Sequence, residues 1–298
     1  MNNLKKISLW IKEKKTIIKK LLQLDKENVI KKKHDKEVIL FISHVFSDLT
    51  IDRFLKLRKL TANNFDVFAL IDANHKFSLE LWNKELRENN CSDSLIPFYP
   101  NELEEILGYK YFIKNSIIPG CAHYPLLFFW KQFEYVNYWV VEYDVEFSGN
   151  WSDFFNHFKN NHEDLLASHL TRFHLNPTWQ WWGSLHPPRR LSKAMKAKQA
   201  DLPKGFFPLY RISERALRVV DAAHRQKWRG HLEVLLPTVL EENGLAAGDF
   251  NSYGTFYTNG SIEPNDGTSP HSSLRWRPEI DPQEFKRIST PCIFHPVK

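Results

Sequence analysis

Short apolar runs of strand length alternate with helical segments along the first half of this chain, and that alternation limits its fold more than any other feature. Glu37–Phe46 (EVILFISHVF) reads as a buried strand bounded by Ser47-Asp48. Ile51–Leu60 reads as a helix, Asp66–Asp72 (DVFALID) as a second strand, and Leu79–Asn89 as a second helix. Strand Leu95–Tyr99, helix Asn101–Leu107, helix Pro125–Phe133 and strand Tyr138–Glu142 follow. Strands that alternate with helices pair mostly in parallel, which predicts a three-layer α/β/α sandwich around a mostly parallel central sheet.

The second half is less regular. Trp151–Lys159, Lys193–Lys198, Arg211–Arg225 (with Ser213 as a cap) and His231–Asn243 read as helices. His169–Leu185 reads as a loop, and the Gly, Asn, Ser and Pro after Gly244 predict long loops over an active-site face. The expected organisation is an N-terminal segment, residues 1–36, ahead of one α/β body, residues 37–298, whose regular half is 37–150 and whose less regular half is 151–298.

Charge separates the same two parts. Residues 1–36 hold twelve Lys against four acids, a local charge of +8, and the whole chain is +6, leaving −2 for residues 37–298. Leu4, Ile7, Ile11, Ile18 and Leu22 lie at helical spacing, so residues 3–24 read as an amphipathic helix, with Lys31-Lys32-Lys33 as a solvated linker. Such a helix suits a protein contact or an anionic membrane surface. The slightly acidic body argues against a nucleic-acid partner. No apolar run approaches the roughly 18 residues that cross a bilayer. Met1–Lys6 is polar with no apolar core after it, so no signal peptide is expected. Cys91, Cys121 and Cys292 are odd in number and far apart, pointing to free thiols and a cytoplasmic address. The phosphate-loop, dinucleotide-binding and nucleophile-elbow patterns are missing.

The chemistry concentrates where the strand Tyr138-Trp139-Val140-Val141 ends in Glu142-Tyr143-Asp144-Val145-Glu146. If the chain stays extended, a period of two puts Glu142, Asp144 and Glu146 on one face. Three carboxylates there repel unless a cation or proton resolves them. A hard divalent ion such as Mn²⁺ or Mg²⁺ does so. Solvation, or pairing with Arg and Lys, is the other solution the pattern allows.

An apolar strand ending in E-x-D after about a hundred residues of alternating α/β resembles the metal motif of GT-A glycosyltransferases. Phe147-Ser148-Gly149-Asn150-Trp151 and Phe294-His295-Pro296-Val297-Lys298 are similar to uncharacterised bacterial polysaccharide and lipopolysaccharide glycosyltransferase-like proteins. The resemblance covers residues 37–298 and implies a GT-A-like catalytic domain, with 37–150 as the nucleotide-sugar-binding half and 151–298 as the acceptor-binding half. It implies a nucleotide-diphosphate sugar donor, and a glycan or lipid-linked glycan acceptor. It implies that Glu142 approaches the nucleotide ribose or a metal-bound water, while Asp144 and Glu146 bind the metal. Which two of the three acids act is left open.

The same resemblance implies further roles. His295, in a short tail that folds back, becomes a metal ligand, with Lys298 or Arg277 as alternatives that neutralise the diphosphate. Glu233, in Gly230-His231-Leu232-Glu233, becomes the general base of an inverting reaction. His44 and Asp48 fall where the nucleobase binds, and His123 is a further nucleotide contact. Trp179, Trp181 and Trp182 offer stacking faces for an acceptor sugar. A non-catalytic carbohydrate- or lipid-binding module and a metal-dependent phosphoesterase are the competing functions.

Overall fold

The computed structural model describes residues 32–34, 36–74, 76–111, 113, 117, 119–259 and 270–298. The helix expected over residues 3–24 lies outside them. Lys32–Lys33, expected to be linker, instead form a short strand, β1. The central strands begin with β2 (Glu37–Ser43), β3 (Phe65–Asp72) and β4 (Leu95–Phe98). Between these run helices α1 (Asp48–Thr61), α2 (Lys76–Glu88) and, after β4, α3 (Pro100–Leu107). Helix α4 (Tyr124–Trp130) then leads to β5 (Phe133–Glu134), which pairs in parallel with β1. Strand β6 (Asn137–Glu142), the short β7 (Glu146–Phe147) and helix α5 (Trp151–His157) follow.

The second half contributes β8 (Leu165–Arg172), α6 (Ser192–Ala197), β9 (Pro203–Ser213) and α7 (Glu214–Arg225). Helix α8 (Leu232–Glu242), β10 (Ala247–Asp249), α9 (Pro282–Phe285) and β11 (Ile293–Phe294) complete it. Seven strands make one sheet in the order β10-β8-β9-β6-β2-β3-β4, with β9 antiparallel to its two neighbours and the other strands aligned together. This is the expected three-layer α/β/α sandwich around a mostly parallel central sheet.

Its cores follow from the period of two. Val38, Leu40, Tyr138 and Val140 face one layer with side chains of α3, α4, α7 and α8, whereas Ile39, Phe41, Trp139 and Val141 face α1, α2 and α5. Both faces are covered, which is why these strands are apolar along their length. Strand β2 ends at Ser43, and Ser47 caps α1, its hydroxyl accepting from the Thr50 amide at 3.1 Å. Such a cap contributes about 1 kcal/mol. Among the described residues no helix is long and apolar enough to cross a membrane.

Strands β8 and β9 depart from the sequence reading. Arg211 to Ser213 end a strand, and the helix starts only at Glu214 with Ser213 as its cap. His169 to Arg172 belong to β8 and not to a loop. Pro203 and Pro208 and the flanking charges Lys204 and Arg211 disguise β9, although Lys204 and Arg211 are both buried.

Candidate metal and donor site

Chain order reverses between β2 and β6: β3 and β4 are laid down on one side of β2, and β6 returns to the other. In such sheets a crevice opens outside the carboxyl ends of the two diverging strands. His44, just past β2, and Glu142, at the end of β6, flank that crevice.

The strand does not stay extended beyond Glu142. The Val145 amide donates to the Glu142 carbonyl at 3.0 Å, closing a tight turn through Tyr143 and Asp144. The turn corrects the expectation of three acids on one face. Glu142 and Asp144 stay together, while Glu146 is carried away into β7. There its carboxylate accepts from Arg53 Nε at 2.7 Å in a buried ion pair. Arg53 also donates to the Tyr143 carbonyl at 3.1 Å, so this pair braces the turn. Glu146 is not part of the cluster that could hold an ion.

The third member comes from far along the chain. Strand β11 pairs antiparallel with β7, and the Val297 amide donates to the Asp144 carbonyl at 2.9 Å. This lacing sets His295 Nε2 3.6 Å from Glu142 and 3.5 Å from Asp144 Oδ1. Glu142, Asp144 and His295 each offer one ligand atom within 4.8 Å of the others. His295 Nδ1 must donate to the Arg275 carbonyl, 2.7 Å away, which leaves the Nε2 lone pair of the neutral ring aimed at the carboxylates.

Two observations test this set as a cation site. Asp144 is 3% exposed, yet its Oδ1 has no hydrogen-bond partner among the described residues. A buried carboxylate oxygen left bare is costly unless a cation or proton meets it. The donors are two carboxylates, which suit Mg²⁺ and Mn²⁺, and an imidazole, which suits borderline ions such as Zn²⁺ and Fe²⁺, so the mixed set fits a divalent ion and favours Mn²⁺ over Mg²⁺. Burial opposes the charged form of His295, but its contact with Glu142 and the field of Asp144 outweigh that and hold its pKa above the ordinary value. Lys298 Nζ, 3.0 Å from Asp144 Oδ2 and 5.3 Å from the Tyr143 ring centre, is the other positive group at the crevice.

The remaining predicted residues divide clearly. His44 is exposed and packs edge-on against Tyr143 at 5.0 Å, at the rim of the cluster. Asp48 is an exposed residue in the first turn of α1, where the helix dipole favours an acid. His123, expected to touch nucleotide, is instead interior: it is 1% exposed, with Nε2 2.9 Å from Nε2 of His224. Burial, then the neighbouring His224 and His231, presses its pKa well below the ordinary value.

Glu233 stands in the first turn of α8, its amide donating to His231 Nδ1 at 3.3 Å. Pro237 cannot donate to the Glu233 carbonyl, so the helix is one bond short there. Burial and the Lys204 charge lower the pKa of His231 to about 4, which keeps it neutral. Half-buried Trp181 stacks on His231 at 5.1 Å and half-buried Trp179 meets it edge-on at 5.7 Å. Trp182 is core, buried and donating to the Asn176 carbonyl at 2.7 Å.

Strand β9 links this shelf to the cluster. Lys204 lies 4.8 Å over the Trp179 ring, and Phe206, two residues on, meets the His295 ring at 5.5 Å. Sequence reasoning missed Lys204, Arg53 and Arg275. It also missed the role of His169, which takes a left-handed backbone (φ 52°) uncommon for a histidine. His169 Nε2 contacts the Leu274 carbonyl at 2.8 Å, within the segment whose Ser273 carbonyl accepts from the His295 amide at 2.9 Å. A basic residue in an apolar strand was the available signal for Lys204; for His169 there was none.

No protein-family model matches the chain, and no curated protein matches it. Among solved structures it is similar to a protein described as a glucose-1-phosphate thymidylyltransferase from Bacillus anthracis in complex with a sucrose. The identity is 10%, the TM-score 0.40, and the match covers 73% of this chain and 87% of that one. It is also similar to the inositol-1-phosphate CTP transferase from T. maritima, at 11% identity and TM-score 0.39, covering 72% and 85%. A third similar structure is S. aureus TarS 1-349, at 12% identity and TM-score 0.40, covering 72% of this chain and 58% of that one.

Proposed function

We propose that this protein is a metal-dependent glycosyltransferase that moves a sugar from a nucleotide-diphosphate donor to a glycan or lipid-linked glycan. The observation that carries the reading is the bare, buried Oδ1 of Asp144, facing Glu142 and His295 Nε2 at the switch point of the sheet. Glu142, Asp144 and His295 would hold Mn²⁺ or Mg²⁺, and the ion would supply Lewis-acid neutralisation of charge on the departing nucleotide diphosphate. Lys298 adds a second positive charge on the same side, and His44 with Tyr143 forms the aromatic rim against which a nucleobase would lie.

Glu233 takes the proton of the acceptor hydroxyl as the new glycosidic bond forms and the bond from sugar to diphosphate breaks. Attack opposite the leaving group inverts the anomeric centre. Neutral His231 fixes the start of α8 without competing for that proton, and Trp179 and Trp181 offer faces for the acceptor ring. Residues 1–36 would hold the protein at an anionic membrane surface on the cytoplasmic side. The test is a thermal-shift screen of nucleotides and nucleotide-sugars with and without Mn²⁺, followed by release of nucleotide diphosphate. Stabilisation that needs both metal and a nucleotide-sugar is expected. Indifference to every pair of metal and nucleotide would overturn the reading.

A further inference from the structure

Two basic segments meet beside the tryptophan shelf. Residues 186–200 contain five Lys or Arg and no acid, and residues 225–231 contain three and no acid. His186 and Arg229 exchange backbone hydrogen bonds of 2.7 and 3.1 Å, and Arg190 Nη2 donates to Gln226 Oε1 at 2.6 Å. Beneath them Met195 and Trp228 share one buried cluster, so the segments form a single surface.

The charges on this surface stand outward. Arg189, Lys193, Lys196, Lys227 and Arg229 are exposed, and among the described residues none of them forms an ion pair. Lys198 and Arg225 are satisfied by Glu242 at 2.7 Å and Asp221 at 3.0 Å. Lys193 and Lys196 lie three apart on α6, where like charges repel by a few tenths of a kcal/mol. The body that carries this ridge has a net charge of −2. Folding therefore gains nothing from the concentration, and a polyanion would.

We propose that the ridge docks a polyanionic glycan, one bearing repeated phosphate or carboxylate groups, and leads its end to Trp179, Trp181 and Glu233. This rests on the transferase reading and deepens it by naming the acceptor class. A glycan fits better than a lipid surface because the large apolar side chains of the two segments are buried (Met195, Trp228) or half-buried (Leu191), and none stands exposed to insert. The ridge adjoins the shelf directly, since the His231 amide donates to Ser184 Oγ at 2.9 Å in the turn just before His186.

The experiment measures binding of the full chain to dextran sulfate, neutral dextran and phosphatidylglycerol vesicles over a range of salt. The variant combines Arg189→Ser, Lys193→Ser, Lys196→Ser and Lys227→Ser. It should bind dextran sulfate at least about tenfold more weakly at low salt, with the salt dependence reduced by about three counterions. A second variant, Arg189→Lys with Lys193→Arg and Lys196→Arg, keeps the charge and should keep the binding. Neutral dextran should bind to neither, and vesicle binding should fall less than polymer binding. Unchanged dextran sulfate binding would overturn the proposal, as would an equal or larger loss on vesicles, which would assign the ridge to a membrane. Manganese binding is measured separately, so failure of the metal site and failure of the ridge are distinct results.

Discussion

Two aspartates at opposite edges of the sheet show how differently this protein treats buried charge. Asp164, at the amino edge, is 1% exposed, and Asp144, at the carboxyl edge, is 3% exposed. Asp164 accepts from Ser213 Oγ at 2.8 Å, Arg215 Nη2 at 2.6 Å and the Ala246 amide at 3.2 Å. Burial alone would raise its pKa, but Arg215 and Ser213 outweigh that and hold it below the ordinary value. Asp144 meets Lys298 through Oδ2, while its Oδ1, 3.5 Å from His295 Nε2, has no hydrogen-bond partner among the described residues. A cleft of about 490 Å³ opens at the amino edge beside Asp164, but this carboxylate already has its partners. One edge is closed by protein groups, and the other keeps coordination capacity in reserve.

Substituting each residue tests that contrast, beginning with the largest effect. Asp144→Asn should weaken manganese binding by at least about a hundredfold, since changes even one step removed from a metal cost ten- to a hundredfold. Its urea stability should change by less than about 1 kcal/mol, because the amide weakens the Lys298 contact but removes a buried charge with an oxygen lacking a hydrogen bond. A larger loss of stability would show Asp144 to be a structural residue like Asp164. Glu233→Gln, also at the carboxyl edge, should lower turnover by about a hundredfold while donor affinity stays near that of the parent. Product formed with retained configuration would remove Glu233 from the base role.

At the closed edge the expected pattern reverses. Asp164→Asn should cost about 2 kcal/mol of stability, discounted because Arg215 is largely exposed, and leave manganese binding unchanged by calorimetry. Acid separates the edges more finely. His224, near the carboxyl edge, has its pKa lowered to about 4, chiefly by burial. The unfolded chain therefore binds a proton there that the folded chain refuses, and stability falls as pH drops from about 6.5 towards 4. Between pH 6.5 and 5.5 His224 should contribute about 1 kcal/mol of that loss, with the buried His231 and His123 adding their own, and His224→Leu should lower the slope by its share. Asp164 works in a lower window: its contribution is complete above the ordinary carboxylate pKa and is lost only as pH falls through its depressed folded value.

The parallel core was legible because burial on both faces writes itself as continuous apolar runs, as in Val38 to Phe41 and Tyr138 to Val141. The acidic motif was legible for the same reason, since a run that ends in carboxylates marks a strand end. What hid the rest was local geometry that composition does not encode. Periodicity alone cannot announce the turn at Tyr143-Asp144, so Glu146 was grouped with the wrong partners and Arg53 was passed over. His123 looked like a ligand because a sequence does not show that His224, a hundred residues on, encloses it. Strand β9 was hidden by Pro203, Pro208 and two basic residues whose partners are tertiary: Arg211 is held by the carbonyls of Phe158 at 2.8 Å and Asn161 at 2.9 Å.

The pairing of β11 with β7 has a consequence in time as well as in space. Glu142 and Asp144 are separated from His295 by about half the chain, so the loop that joins them is among the longest the fold must close. Contacts of such long range form late, after the local β-α-β units have condensed. During synthesis the two carboxylates would emerge and fold while the imidazole was still untranslated. An ion captured in that interval would be held by an incomplete set and readily lost. Metal competence would then be acquired after the sheet, as a step of maturation that a burst of manganese binding late in refolding would reveal.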